Sequence, residues 1–161
     1  MYSNEMHKVV EPDLSIALIE KSIITIVREA TLPSMQAWFA AQSGVAVERA
    51  GYQVLRGVAE HAPVRLSDLA HRLGVDTSTV TRQIQTLERQ GMIARTHDPA
   101  DRRVALLGLT TKGAAALDRL RQTRHKLFAS VLADWPINDR AALAPLLARL
   151  ADDFLAHGGR R

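Results

Sequence analysis

Apolar side chains recur along most of this chain at intervals of three and four residues, the spacing that lines one face of an α-helix. The first such run, over 12–30, carries Leu14, Leu18, Ile23, Ile26, Val27 and Ala30. Pro12 suits a first turn and Pro33 ends the run. A short helix is predicted over 34–42, stopped by Ser43 and Gly44, and a longer one over 46–61 with Val47, Ala50, Val54, Leu55 and Val58 on one side. Ala62-Pro63 breaks that helix, and Val64, Arg65 and Leu66 suffice for a single extended pairing. Ser67 is placed to cap a helix over 68–73, its hydroxyl accepting from a free amide. Gly74 ends that helix, since glycine tolerates the left-handed conformation. Asp76 or Thr77 caps the next, which continues through Gln90 until Gly91.

From Met92 the period changes. Segments 93–96 and 103–109 read as two short strands joined by HDPADR, whose Asp and Pro residues have turn chemistry. A long helix follows over 110–134, with Leu117, Leu120, Arg124, Leu127 and Val131 at helical spacing, and Trp135-Pro136 breaks it. Asn138 or Asp139 opens the last helix, whose stripe is Leu143, Leu146, Leu147, Leu150 and Phe154. Residues 157–161 read as a frayed tail. The expected fold is therefore mainly α with one small β hairpin after a two-helix unit.

Composition agrees with a packed helical chain: 47% of the 161 residues are apolar and aromatics make up 4%. The absence of cysteine excludes disulfides, zinc–thiolate sites and thiol catalysis. The opening residues lack the layout of a signal peptide, and no apolar run reaches the ~20 residues that span a bilayer. The expectation is a cytoplasmic protein with no membrane partner. A net charge of +4 and a pI near 10.0 permit an anionic partner without requiring one.

Placement of the charge says more. In LSDLAHRLGVDTSTVTRQIQTLERQGMI, helix, glycine turn and helix follow the helix-turn-helix layout, whose second helix enters the major groove of double-stranded DNA. At ~100° per residue, Val80, Ile84 and Leu87 share the core face. Ser78, Arg82, Gln85 and Arg89 then lie opposite, flanked by Thr79, Thr81 and Thr86, with Glu88 toward the side. Hydroxyls, amides and guanidinium groups are what base edges and phosphates accept. On the hairpin, Arg95 lies on the first strand while Arg102 and Arg103 follow the turn, with Asp98 and Asp101 able to brace them. An arginine at a protruding tip suits the minor groove. Between residues 77 and 103 five arginines oppose three acids, so half of the chain's net charge falls here. The bland alternative is a solvated helix and a surface hairpin.

These residues carry a resemblance. VDTSTVTRQIQTLERQGMI and DPADRRVALLGLTTKG resemble the recognition helix and wing signature of the MarR family of bacterial regulators, the wing pattern falling on Asp101, Arg103, Leu109, Thr110 and Gly113. The resemblance implies a winged helix-turn-helix fold with N- and C-terminal dimerisation helices. It divides the chain into 1–45 (dimerisation), 46–110 (DNA binding) and 111–161 (dimerisation). It also implies that Arg103 enters the minor groove, that Asp101 orients it, and that a homodimer reads a pseudo-palindromic operator as a transcriptional regulator; a repressor is the expectation, with an activator as the alternative.

Such regulators commonly bind a small aromatic or phenolic effector. Trp38, Tyr52, Arg49 and Arg28 would offer apolar walls and a cation to it; the alternative is that the rings are core packing and the arginines exposed. The histidines show no metal-ligand spacing, no catalytic constellation is visible, and neither enzyme activity nor a cofactor is expected. A non-specific architectural DNA binder and a winged-helix protein-interaction module are the rival functions.

Overall fold

Leu55, Leu69, Ile84, Leu107 and Leu117 come from five different elements and are all fully buried, so the chain is arranged to bring them together. The structure, a computed structural model, describes residues 13–99, 101 and 103–158. Its elements are α1 (Leu14–Thr31), α2 (Pro33–Ser43), α3 (Arg49–His61), β1 (Val64–Arg65), α4 (Leu66–Leu73), α5 (Thr77–Arg89), β2 (Ile93–His97), β3 (Ala105–Leu109), α6 (Thr111–Val131) and α7 (Ile137–Gly158). The strands form one antiparallel sheet in the order β1-β3-β2. Val54, Leu55 and Val58 of α3, Leu69 of α4, and Val80, Ile84 and Leu87 of α5 close on Leu107 of β3 and Leu117 of α6.

Several boundaries move from where periodicity set them. The third helix starts at Arg49, not at residue 46, because Val45 is buried ahead of it and its N–H donates to the Ser43 hydroxyl at 3.2 Å. Ala50 is exposed rather than on the core side. Ser67 does not cap α4: the helix begins at Leu66, directly out of β1, so Ser67 lies within its first turn and its hydroxyl meets Asp68 at 3.3 Å. Strand β3 begins at Ala105, two residues later than expected, because the Val104 N–H closes the wing turn on the Asp101 carbonyl at 2.9 Å. Helix α6 stops at Val131, and α7 runs from Ile137 through Gly158, so residues 157 and 158 are helical rather than frayed. Pro145 sits inside α7, a position that the apolar stripe does not flag. Pro12 and residues 159–161 lie outside the described residues.

The terminal helices stand apart from this core. Spacing gives α1 and α7 broad apolar faces, and no residue of either helix is buried within the protomer. Leu14, Leu18, Ile26 and Val27 on α1 and Leu146, Leu147 and Phe154 on α7 each expose more than half of their surface. The core belongs to the middle of the chain.

Candidate nucleic-acid interface

The turn between α4 and α5 is held by backbone geometry. Gly74 adopts φ 64°, a conformation that costs a residue with a Cβ more than it costs glycine, and Val75 N–H returns to the Ala70 carbonyl at 3.2 Å. Asp76 then caps α5, its carboxylate accepting from the Thr79 N–H at 3.0 Å and from the Ser78 and Thr79 hydroxyls. Val80, Ile84 and Leu87 face the core as periodicity requires, which turns Ser78, Arg82, Gln85 and Arg89 to solvent.

The hydrogen bonds sort that outer face in a way periodicity does not. The Ser78 and Thr79 hydroxyls point back to Asp76, Thr81 donates to the Thr77 carbonyl at 2.7 Å, and Thr86 donates to the Arg82 carbonyl at 3.1 Å. Arg89 donates to the Thr86 hydroxyl at 3.1 Å. Among the described residues, Arg82 and Gln85 have no side-chain hydrogen bond or ion pair. On the solvent face opposite Val80, Ile84 and Leu87, these two keep their full donor capacity available to a ligand.

The hydroxyl of Ser78 first, then the N–H and hydroxyl of Thr79, hold the Asp76 carboxyl below its ordinary 3.8, at about 2. A folded-state pKa below the unfolded value means stability that is present above 3.8 and lost as pH falls through about 2. Asp76→Asn is expected to flatten that acid limb in thermal melts across the window. Identical limbs in the two proteins would remove the cap from the acid response.

Strands β2 and β3 pair from Ile93↔Leu109 to His97↔Ala105 and carry the wing. At its tip the Asp101 carboxylate accepts from both the Arg103 N–H at 3.0 Å and its Nε at 3.2 Å. The Arg103 side chain remains 92% exposed, so it is anchored at its root and its far nitrogens project outward. Arg102 lies outside the described residues. Arg95 is braced by Glu88 of α5, at 2.6 Å, rather than by a wing aspartate, and Asp98 pairs with Arg65 of β1 at 3.2 Å. Both pairs join elements that only folding brings together, and no sequence signal marks the Arg65–Asp98 contact.

The four residues grouped as an effector site fall in different surroundings. Arg28 pairs with its neighbour Glu29, Trp38 packs edge-on against Phe39 at 5.2 Å, and the Tyr52 hydroxyl accepts from Arg124 at 2.6 Å. Arg49 lines a cavity of about 510 Å³ between α3, α4 and α5, with Leu73, Val75 and Val80 as apolar wall. His61 and His71, ten residues apart, share a second cavity with Asp68. Among the described residues no group of three or more His, Asp or Glu is placed to hold a metal ion, and no helix is long and apolar enough to cross a membrane.

Residues 47–105, from the loop before α3 to the first residue of β3, match the MarR family model. An HTH-type transcriptional regulator of Bacillus subtilis (strain 168), YxaD, itself uncharacterized, is 33% identical over 109 residues, which is 68% of this chain and 76% of that protein. The chain belongs to the MarR family. This MarR protein is a DNA-binding transcriptional regulator. A second B. subtilis relative, the HTH-type transcriptional repressor MdtR, is 33% identical over 98 residues, 61% of this chain and 63% of that one. The structure of Staphylococcus aureus MarR in complex with salicylate and kanamycin superposes with a TM-score of 0.72 at 19% identity, covering 89% of this chain and 95% of that one. At that identity the likeness speaks for the winged helix-turn-helix fold alone.

Proposed function

We propose that this MarR regulator is a repressor that binds a pseudo-palindromic operator as a homodimer, with α5 in the major groove and the wing in the minor groove. The observation that carries the reading is the pair of uncommitted donors, Arg82 and Gln85, on the solvent face of α5, together with Arg103 projecting from the wing. Arg82 suits a guanine edge and Gln85 an adenine edge. Ser78, Thr79, Thr81, Thr86 and Arg89 border them and contact the backbone, while Asp101 aims Arg103. Segment 46–110 is the DNA-binding part. The exposed apolar faces of α1 and α7 support segments 1–45 and 111–161 as the dimer contacts. Repression follows the activity named for MdtR, and the reading locates the protein in the cytoplasm with its DNA.

Selection from a random duplex pool tests the whole reading. An inverted repeat with half-sites ~10 bp apart is expected; recovery of no motif, with binding lost steeply as salt rises, would leave only backbone attraction and favour an architectural role. Release of the selected duplex by phenolic acids tests an effector. Salicylate on S. aureus MarR and the cation of Arg49 beside an apolar wall support one of that class, and a duplex that stays bound would remove it.

On that duplex, Arg82→Ala or Gln85→Ala is expected to cost ~1–3 kcal/mol and to relax preference at single base pairs. Arg103→Ala is expected to weaken binding chiefly where flanks are AT-rich and the minor groove narrow. Equal losses on selected and arbitrary DNA would contradict base reading.

A further inference from the structure

Glu88 is the single carboxylate in α5, on a helix whose solvent face otherwise carries hydroxyls, amides and guanidinium groups. An acid there opposes the phosphate backbone unless its charge is answered. Arg95 answers it: Nε donates to Oε1 at 2.6 Å and Nη2 faces Oε2 at 3.4 Å, so the carboxylate covers one edge of the guanidinium. The pair lies between the last turn of α5 and the middle of β2, with side chains 40% (Arg95) and 27% (Glu88) exposed. Among the described residues no other cation is paired with Glu88, and its neighbour Arg89 turns to Thr86. Arg103 makes the contrast: Asp101 reaches only its Nε, and the side chain stays 92% exposed. Arg95 and Arg103 are therefore held differently, one withheld and one presented.

We infer that Glu88 is a positioning residue that withholds Arg95 from the DNA phosphates and so sets the electrostatic, sequence-independent share of this protein's DNA affinity. The inference rests on the duplex-binding reading above. Each phosphate neutralised by a protein cation steepens the fall of log K with log salt by about 0.9. Arg95 held by Glu88 contributes none of that slope; Arg95 set free contributes one such contact.

The test is binding of a short duplex of arbitrary sequence over a salt series, with melting temperature recorded for each variant. Glu88→Gln is expected to tighten binding about five- to tenfold at ~0.1 M salt and to steepen the slope by about one phosphate. Arg95→Ala alone is expected to leave the slope unchanged, with Arg95→Gln as a second variant that keeps most of the stem. The double variant Glu88→Gln/Arg95→Ala is expected to return the slope to that of the parent. A steeper slope that survives in the double variant would mean that loss of the negative charge alone acts, and would overturn the inference. So would a flatter slope in Arg95→Ala, which would mean that Arg95 already sits on a phosphate. An unchanged slope in Glu88→Gln defeats the inference while leaving duplex binding intact, whereas a parent protein that binds no duplex defeats the functional reading and this one with it.

Discussion

Gly113→Ala is expected to destabilise the protein by about 3 kcal/mol or more, lowering the melting temperature by roughly 10 °C. Gly113 sits in the first turn of α6, where the chain leaving the wing passes over the chain entering it. A Cβ at that position would overlap the Met92 carbonyl oxygen and lie 2.9 Å from its carbonyl carbon, so backbone rather than a flexible side chain must move. That backbone is committed elsewhere. The Met92 carbonyl accepts from the Thr110 N–H at 3.1 Å, the Thr110 hydroxyl donates to the Gly91 carbonyl at 2.7 Å, and the Thr110 hydroxyl oxygen accepts from the Gly113 N–H at 3.0 Å. Displacing Met92 therefore disturbs the α6 cap and the start of β2 together. Because α6 also packs on α2 and α3, this crossing ties the wing to those helices. Gly108→Ala, on β3 with open space around its Cα, is the control and is expected to stay within ~0.5 kcal/mol of the parent. Equal melting temperatures for the two variants would show that Met92 can yield and would remove the crossing as a point of strain.

Ile19→Glu combined with Ile26→Glu is expected to convert a dimer into folded protomers and to weaken operator binding on the order of a hundredfold or more. The two residues are two turns apart on α1, so they share a face, and they expose 49% and 63% of their surface in the protomer. Nothing in the protomer core depends on them, since α1 contributes no buried residue. In a symmetric interface each change appears twice, and an unpaired buried carboxylate costs several kcal/mol. Loss of one half-site removes base contacts whose mismatches cost ~1–3 kcal/mol each. Sedimentation and helical content, measured together, decide the matter. A dimer that persists would move the interface off α1, and loss of helix would mean that α1 has a structural role inside the protomer.

Helix-turn-helix geometry was legible because it depends on neighbours in sequence. Val80, Ile84 and Leu87 repeat at helical spacing, Gly74 supplies the left-handed turn, and Asp76 caps a helix whose first amides lie three residues on. The Asp101–Arg103 brace was legible for the same reason, its members being two residues apart. Glu88–Arg95, Arg65–Asp98 and Arg124–Tyr52 were not, the last pair being 72 residues apart and joined only by the packing of α6 on α3. Ser67 misled because it is a good cap in isolation, whereas β1 pairing with β3 starts the helix ahead of it.

The sequence by itself determined the family, the order of the helices and the chemistry of the solvent face of α5, because periodicity, turn residues and donor groups act over a few residues. Tertiary structure alone decided which donors on that face are uncommitted, that Arg95 is paired while Arg103 is presented, and how completely the apolar faces of α1 and α7 stay outside the protomer core. Those outcomes depend on side chains meeting across distant elements and on how much apolar surface a small core can cover. Neither quantity is carried by local spacing.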